Sequence, residues 1–231
     1  TLFPYTTLFR SDPGLARDRS RFYRIPLGGR PQGLVYAADG RRVFVANYML
    51  DCVQEVDLEA REVARSIPLG GPEQASLARQ GEAIFYDARR SLDQWYSCHT
   101  CHYEGGGNAV TMDTWNDGSV LSLVNVNRTA PWTWHGWQQD LPASLKKSLA
   151  DTMMGPPSTD QDAQALAAFF DTLELPPNPY RQEDGSLTAA ATRGKAIFES
   201  SKAGCTQCHS GPYFCDDQVH DVGQGSSRDV Y

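Results

Sequence analysis

The sequence predicts a multidomain chain in which four short antiparallel strands are followed by mainly α-helical domains. Three observations carry that expectation. Residues 12–72 alternate apolar and polar residues in short runs separated by turn formers. From residue 73 onward the apolar spacing changes to that of amphipathic helices. Each stretch also contains its own internal repeat.

The strand runs are Leu34-Val35-Tyr36, Val43-Phe44-Val45-Ala46, Val53-Gln54-Glu55-Val56 and Glu62-Val63-Ala64. Ala38-Asp39-Gly40-Arg41 and Asp57-Leu58-Glu59-Ala60 are turns between them, because Asp bonds its own downstream backbone and Gly tolerates positive φ. Ile25-Pro26-Leu27-Gly28-Gly29 recurs as Ile67-Pro68-Leu69-Gly70-Gly71. Four strands in roughly 40–45 residues is the period of a β-propeller blade. The stretch resembles the Tyr-Val-Thr-Asn family of propeller repeats, with Val45-Ala46-Asn47 at the signature position. A single blade cannot bury both its faces, so residues 12–72 are expected to be the last blade of a longer propeller.

Gly81-Glu82-Ala83-Ile84-Phe85 is matched by Gly194-Lys195-Ala196-Ile197-Phe198. Leu77, Ala78, Gly81, Ile84 and Phe85 fall on one helical face, as do Ala191, Gly194, Ile197 and Phe198. A third helix is expected from Asp160 to Leu173, with Ala163, Leu166, Ala167, Phe170 and Leu173 as its stripe. Thr159 or Asp160 caps it and Pro176-Pro177 stops it. Leu175-Pro176-Pro177-Asn178-Pro179 then reads as a stiff linker.

Each repeated helix precedes one copy of a five-residue pattern, Cys98-His99-Thr100-Cys101-His102 and Cys205-Thr206-Gln207-Cys208-His209. C-x-x-C-H is the attachment pattern of c-type haem. The two thiols form thioethers to the two vinyl groups of one porphyrin, and the following His is held close enough to ligate the iron. A zinc ribbon using Cys98, Cys101, Cys205 and Cys208 gives no reason for a His after each pair. Its two pairs are also typically only ~15–20 residues apart, far closer than these. A redox dithiol is expected once, beside a βαβ pattern. The expectation is two covalently bound haem c groups with their iron, in two cytochrome c domains: residues 73–180, and residues 181–231 as the start of a second.

His102 and His209 are the proximal ligands under this reading. The distal ligand sets potential and reactivity. Met154 is the first candidate on the first haem, with Met153, Met112 and His135 as alternatives; buried methionine more often packs than ligates. The second distal ligand is expected beyond Tyr231, and His220 is read as a loop residue near the haem edge. Pro131-Trp132-Thr133-Trp134-His135-Gly136-Trp137 holds three of the five Trp and serves either as haem wall or as plain core. Arg128 is either a propionate partner or a solvated cation. Tyr103, Asn108, Asp113, Asp117 and Lys195 form no interpretable constellation.

The chain has 231 residues, 40% of them hydrophobic, and a formal charge of −7, which argues against a nucleic-acid partner. No apolar run approaches the ~18 residues of a membrane span. Of six Cys, four are committed to haem, leaving Cys52 and Cys215 with their pairing open. Haem is attached to c-type proteins outside the bacterial cytoplasm, so a periplasmic or otherwise exported protein is expected. Its signal peptide is missing from the sequence. Residues 1–11, TLFPYTTLFRS, resemble a sequencing-adaptor oligonucleotide translated in frame, and are set aside from the fold.

From about Gly81 onward the chain resembles the di-haem cytochrome c peroxidase superfamily, which includes methylamine-utilisation-type di-haem enzymes. The carrying residues are Ser97 to His102, Asn127-Arg128-Thr129-Ala130-Pro131 before Trp134-His135-Gly136, and Cys205 to Pro212. Tyr213 to Gly223 is similar to that family's Phe-Thr-Asp…Phe-His-x-x-Gly stretch, with Cys215 in place of Thr. The resemblance implies single-electron transfer from a redox partner protein or small donor, with hydrogen peroxide as acceptor and a carboxylate aiding O–O cleavage. Met153-Met154 stands where family peroxidases carry Glu-Met, so that carboxylate is missing. The alternative is a non-catalytic electron carrier docked to a partner through its propeller.

Overall fold

A computed structural model of the chain describes residues 23–108, 111–112, 118–133 and 136–221. The adaptor-like segment, Trp134 and His135 lie outside them. The chain divides into two compact units between Ala75 and Ser76.

The first unit is a four-stranded antiparallel sheet: β1 (Pro31–Tyr36), β2 (Arg42–Asn47), β3 (Cys52–Asp57) and β4 (Glu62–Pro68), neighbours in chain order. All four expected strands are present and run slightly longer than their sequence signals. Asp39 Oδ1 accepts from the Arg41 and Arg42 N–H groups, and Asp57 Oδ1 from those of Glu59 and Ala60, closing the two predicted turns. Val43 pairs with Val56, Val45 with Gln54 and Asn47 with Cys52. Period-two alternation puts these six on one face, where all are buried. Ile25 and Leu27 pack over Val43, Val45 and Val56.

Two buried amides fasten that covering segment. Asn47, 2% exposed, donates through Nδ2 to the Gly28 carbonyl (3.0 Å) and to Gln54 Oε1 (2.9 Å), and its Oδ1 accepts from the Arg30 N–H (2.9 Å). Gln54 Nε2 donates to the Leu27 carbonyl (2.9 Å). Buried amides are tolerated because each finds a partner. Gly29 sits at φ +51, and a Cβ there would meet Asn47 Oδ1 at 2.2 Å. The first copy of the repeated pentapeptide therefore needs its second glycine.

The second unit contains α1 (Leu77–Tyr86), α2 (Cys98–Cys101), the short pair β5 (Thr111–Met112) and β6 (Gly118–Ser119), α3 (Leu141–Lys147), α4 (Asp160–Phe170) and α5 (Ala189–Phe198). Ser76 caps α1 and Thr188 caps α5, each side chain accepting from a backbone N–H of the first turn. At α4, Thr159 and Asp162 form a reciprocal capping box. α1 and α4 cross with almost no space between their backbones: a Cβ on Gly81 would lie 1.8 Å from the Ala165 carbonyl oxygen. Around that crossing Ile84, Phe85, Leu149, Met153, Ala165, Leu166, Phe169 and Phe170 form the core.

Two differences from the sequence reading have local causes. α4 ends at Phe170 rather than Leu173, because the Thr172 and Leu173 N–H groups turn back to the carbonyls of Phe169 and Phe170. Leu173 then packs beside Gly105, where any Cβ would lie 2.7 Å from it. α3 has no clear periodic signal in the sequence. Asp140 caps it by accepting from the Ala143 N–H at 2.7 Å, and Pro142 lies in its first turn. A wide turn, Ser148–Thr152, follows and ends at Met153, whose N–H bonds the Ser148 carbonyl.

Candidate haem sites

The C-x-x-C-H pattern folds in the same way in both copies. Cys98–Cys101 is a single helical turn opened by a capping box between Ser97 and Thr100, and the His102 N–H closes onto the Cys98 carbonyl at 2.8 Å. Cys205–Gln207 is the corresponding turn, begun by Gly204 at φ +72, and the His209 N–H closes onto the Cys205 carbonyl at 2.9 Å. A separation of three residues puts each Cys pair on one side of its turn.

Both imidazoles are oriented by main chain. His102 Nδ1 is 2.9 Å from the Leu121 carbonyl oxygen, and His209 Nδ1 is 3.1 Å from that of Phe214. A carbonyl only accepts, so each Nδ1 carries the proton and donates. Each Nε2 is left as the basic nitrogen, the tautomer a ligating histidine needs. Burial pushes the His102 imidazole below its ordinary range, against the opposing pull of the Leu121 and Gly106 backbone, and so favours the neutral form. Burial also pushes the Cys98 thiol up to about 12 and raises that of Cys101, so both are thiols rather than thiolates.

The distal candidates separate. Met153 is 5% exposed in the α1/α4 core, with Sδ 3.6 Å from Cys98 Sγ. Met154 is 55% exposed, with its backbone at φ +48. Met112 lies in β5, and His135 is outside the described residues. Arg128 lies 3.7 Å from Asp171 and over the Tyr213 ring. Trp132 Nε1 donates to the Val126 carbonyl at 2.7 Å. His220 Nε2 is 2.7 Å from Asp216 Oδ2. All six cysteines are unbridged. Among the described residues no three His, Cys, Asp or Glu side chains converge as a metal site.

Sequence reasoning missed one cluster. His99, between the two cysteines, donates to Glu104 Oε1 at 3.1 Å and lies between the rings of Tyr86 and Tyr103, at 4.7 and 5.0 Å. Only the His-x-x-x-Tyr-Glu spacing hinted at it. The residues present fit haem. Leu121, whose carbonyl holds His102, is exposed beside the first motif, and Phe214, whose carbonyl holds His209, beside the second. Apolar surface at these places is what a porphyrin face covers. Asn127 Oδ1, buried in the segment after the first motif, has no protein partner.

No family model matches the chain. The gamma subunit of hydrazine synthase from Kuenenia stuttgartiensis is 31% identical over 176 residues, 67% of this chain and 50% of that subunit. MauG, a methylamine utilisation protein of Methylophilus methylotrophus, is 27% identical over 203 residues, 68% of the chain and 58% of MauG. Cytochrome c551 peroxidase of Nitrosomonas europaea is 25% identical over 194 residues. A solved structure of Kuenenia stuttgartiensis hydrazine synthase superposes with a TM-score of 0.57 at 29% identity, over 66% of this chain and 56% of that one.

The homologues are the hydrazine synthase gamma subunit, MauG and the cytochrome c peroxidases, that is, the di-haem cytochrome c peroxidase and MauG superfamily. They support a haem electron-transfer protein. The chain spans about half the length of these relatives. No helix among the described residues is long and apolar enough to cross a membrane.

Proposed function

We propose that this chain is part of an exported di-haem c-type cytochrome that carries out single-electron transfer with a redox partner, with hydrogen peroxide as a slow acceptor. The observation that carries the reading is the shared geometry of the motifs: one turn bearing two thiols, then an imidazole whose Nδ1 is tied to a main-chain carbonyl. Cys98 and Cys101 would hold one haem with His102 on its iron, and Cys205 and Cys208 the other with His209. Haem c, when bound, supplies a one-electron couple tuned by its axial ligands.

Around it the chain's own residues orient the imidazoles and exclude water. Met154 is the proposed distal ligand at the first site, its exposed side chain being free of the core that holds Met153. A thioether there favours electron transfer over peroxide chemistry, and no carboxylate occupies the position before it, so peroxide turnover should be slow. The first unit is proposed as a blade of a β-propeller through which the protein meets its redox partner.

Export-matured protein should give a covalent haem stain, a reduced-minus-oxidised spectrum of c-type cytochrome, and a mass increased by two haems. Absence of Soret absorption, or four motif sulfurs free to alkylate, would overturn the reading. Brisk peroxide turnover with a reduced donor would count against Met154 as ligand.

A further inference from the structure

The segment after the first motif and the loop after the second lie against each other within the second unit. Three contacts define this seam. Arg128 stands over the Tyr213 ring, 5.7 Å from its centroid. Cys215 Sγ lies 3.4 Å from the Ala130 carbonyl oxygen. Gly136 has so little room that a Cβ would lie 2.5 Å from Val219 Cγ2.

The middle contact is chemically specific. A thiol donates weakly and has one proton. Ala130 O, at 3.4 Å, is nearer than the other acceptor in reach, Asp217 Oδ1 at 3.6 Å. Cys215 directly follows Phe214, whose carbonyl accepts from His209 Nδ1 at 3.1 Å. One peptide unit therefore connects the thiol at the seam to the imidazole of the second motif. On the other side, the segment ending at Ala130 starts from Leu121, whose carbonyl holds His102 Nδ1. That segment is itself stiffened, by Trp132 Nε1 to the Val126 carbonyl and by Asn127 Nδ2 to the Ala167 carbonyl at 2.8 Å.

We propose that Cys215 is a positioning residue for electron exchange between the two motifs: its thiol bridge to Ala130 fixes the Phe214 carbonyl on His209 and joins the two imidazole-bearing segments. This rests on the haem reading given above. With haem bound at both motifs, the exchange would pass one electron from one site to the other, with no proton or covalent bond changing hands. The bridge requires a side-chain hydrogen donor of modest size at position 215, so a hydroxyl can replace the thiol and a methyl cannot.

The test uses the full chain, exported and haem-loaded, as the parent, Cys215→Ala and Cys215→Thr. Pyridine haemochrome absorbance and intact mass first report haem content. Spectroelectrochemical titration then gives the two midpoint potentials, and photolysis of carbon monoxide from the half-reduced protein follows electron redistribution. The expected result is full haem content in all three, a shifted second potential and slower redistribution in Cys215→Ala, and restoration of both in Cys215→Thr.

Parent-like potentials and rates in Cys215→Ala, or a Thr variant that restores neither, would overturn the bridge while leaving the haem reading intact. Loss of the second haem in the Ala variant alone, recovered by Thr, supports the same positioning role more strongly. A haem-free parent would overturn both readings together.

Discussion

Met153 and Met154 are neighbours in the chain with opposite environments. Met153 fills the core against Cys98, and Met154 stands in water on a left-handed backbone. Met153→Ala should lower stability by about 2–5 kcal/mol in chemical denaturation while leaving the haem spectrum unchanged. Met154→Ala should leave stability nearly unchanged, convert the first haem from low-spin to high-spin and admit small ligands, as read by optical spectra with and without cyanide. His102→Ala should remove the low-spin signal of the first haem. At this scale the motif residues were legible because the proposed covalent attachment would dictate their order. The two methionines could not be told apart, because the wide Ser148–Thr152 turn that sets their phase leaves no periodic mark. The His99 cluster was hidden for a different reason: Tyr86 reaches it from another helix.

Gly81 and Gly194 occupy the same place in a repeated pentapeptide, and the helices carrying them, α1 and α5, were both legible from apolar spacing. Their surroundings differ: Gly81 is pressed onto the Ala165 backbone, and Gly194 has no atom within 4 Å of its would-be Cβ. Gly81→Val should cost at least about 1–3 kcal/mol by overpacking, whereas Gly194→Val in this chain should change the midpoint by no more than about 0.5 kcal/mol. Packing partners are set by tertiary structure, which a repeat in sequence does not report. The start of α4 adds a pH dependence. Burial raises the Asp162 carboxyl, but the Thr159 N–H, the Arg90 guanidinium and the Thr159 hydroxyl outweigh it and hold it below 3.8. A depressed acid stabilises the fold fully above its unfolded value and loses that contribution as pH falls through the folded one. Thermal midpoints should therefore drop below about pH 4, and less steeply in Asp162→Asn.

At the scale of the molecule, both haem motifs fall in the unit that begins at Ser76. Proteolysis between Gly71 and Ser76 should leave all haem absorbance with the larger fragment; haem on the smaller one would contradict the assignment. The smaller unit is held by its buried amides, and Asn47→Leu should destabilise it by about 1–3 kcal/mol, because the Gly28 carbonyl and the Arg30 N–H lose a partner. Strand order and turns in this unit were readable from Asp, Gly and the alternation. The amide clamp was not, since Asn47 and Gln54 look like ordinary polar residues until their register places both on the covered face.

The tethers of the two imidazoles differ in reach. His209 is secured by a carbonyl five residues downstream, His102 by one nineteen residues away. Closing the longer loop is entropically harder. The second motif can thus adopt its binding-ready form from a short local stretch of chain, whereas the first must wait for a distant stretch to return. In refolding from denaturant, the imidazole of the second motif should therefore be fixed before that of the first.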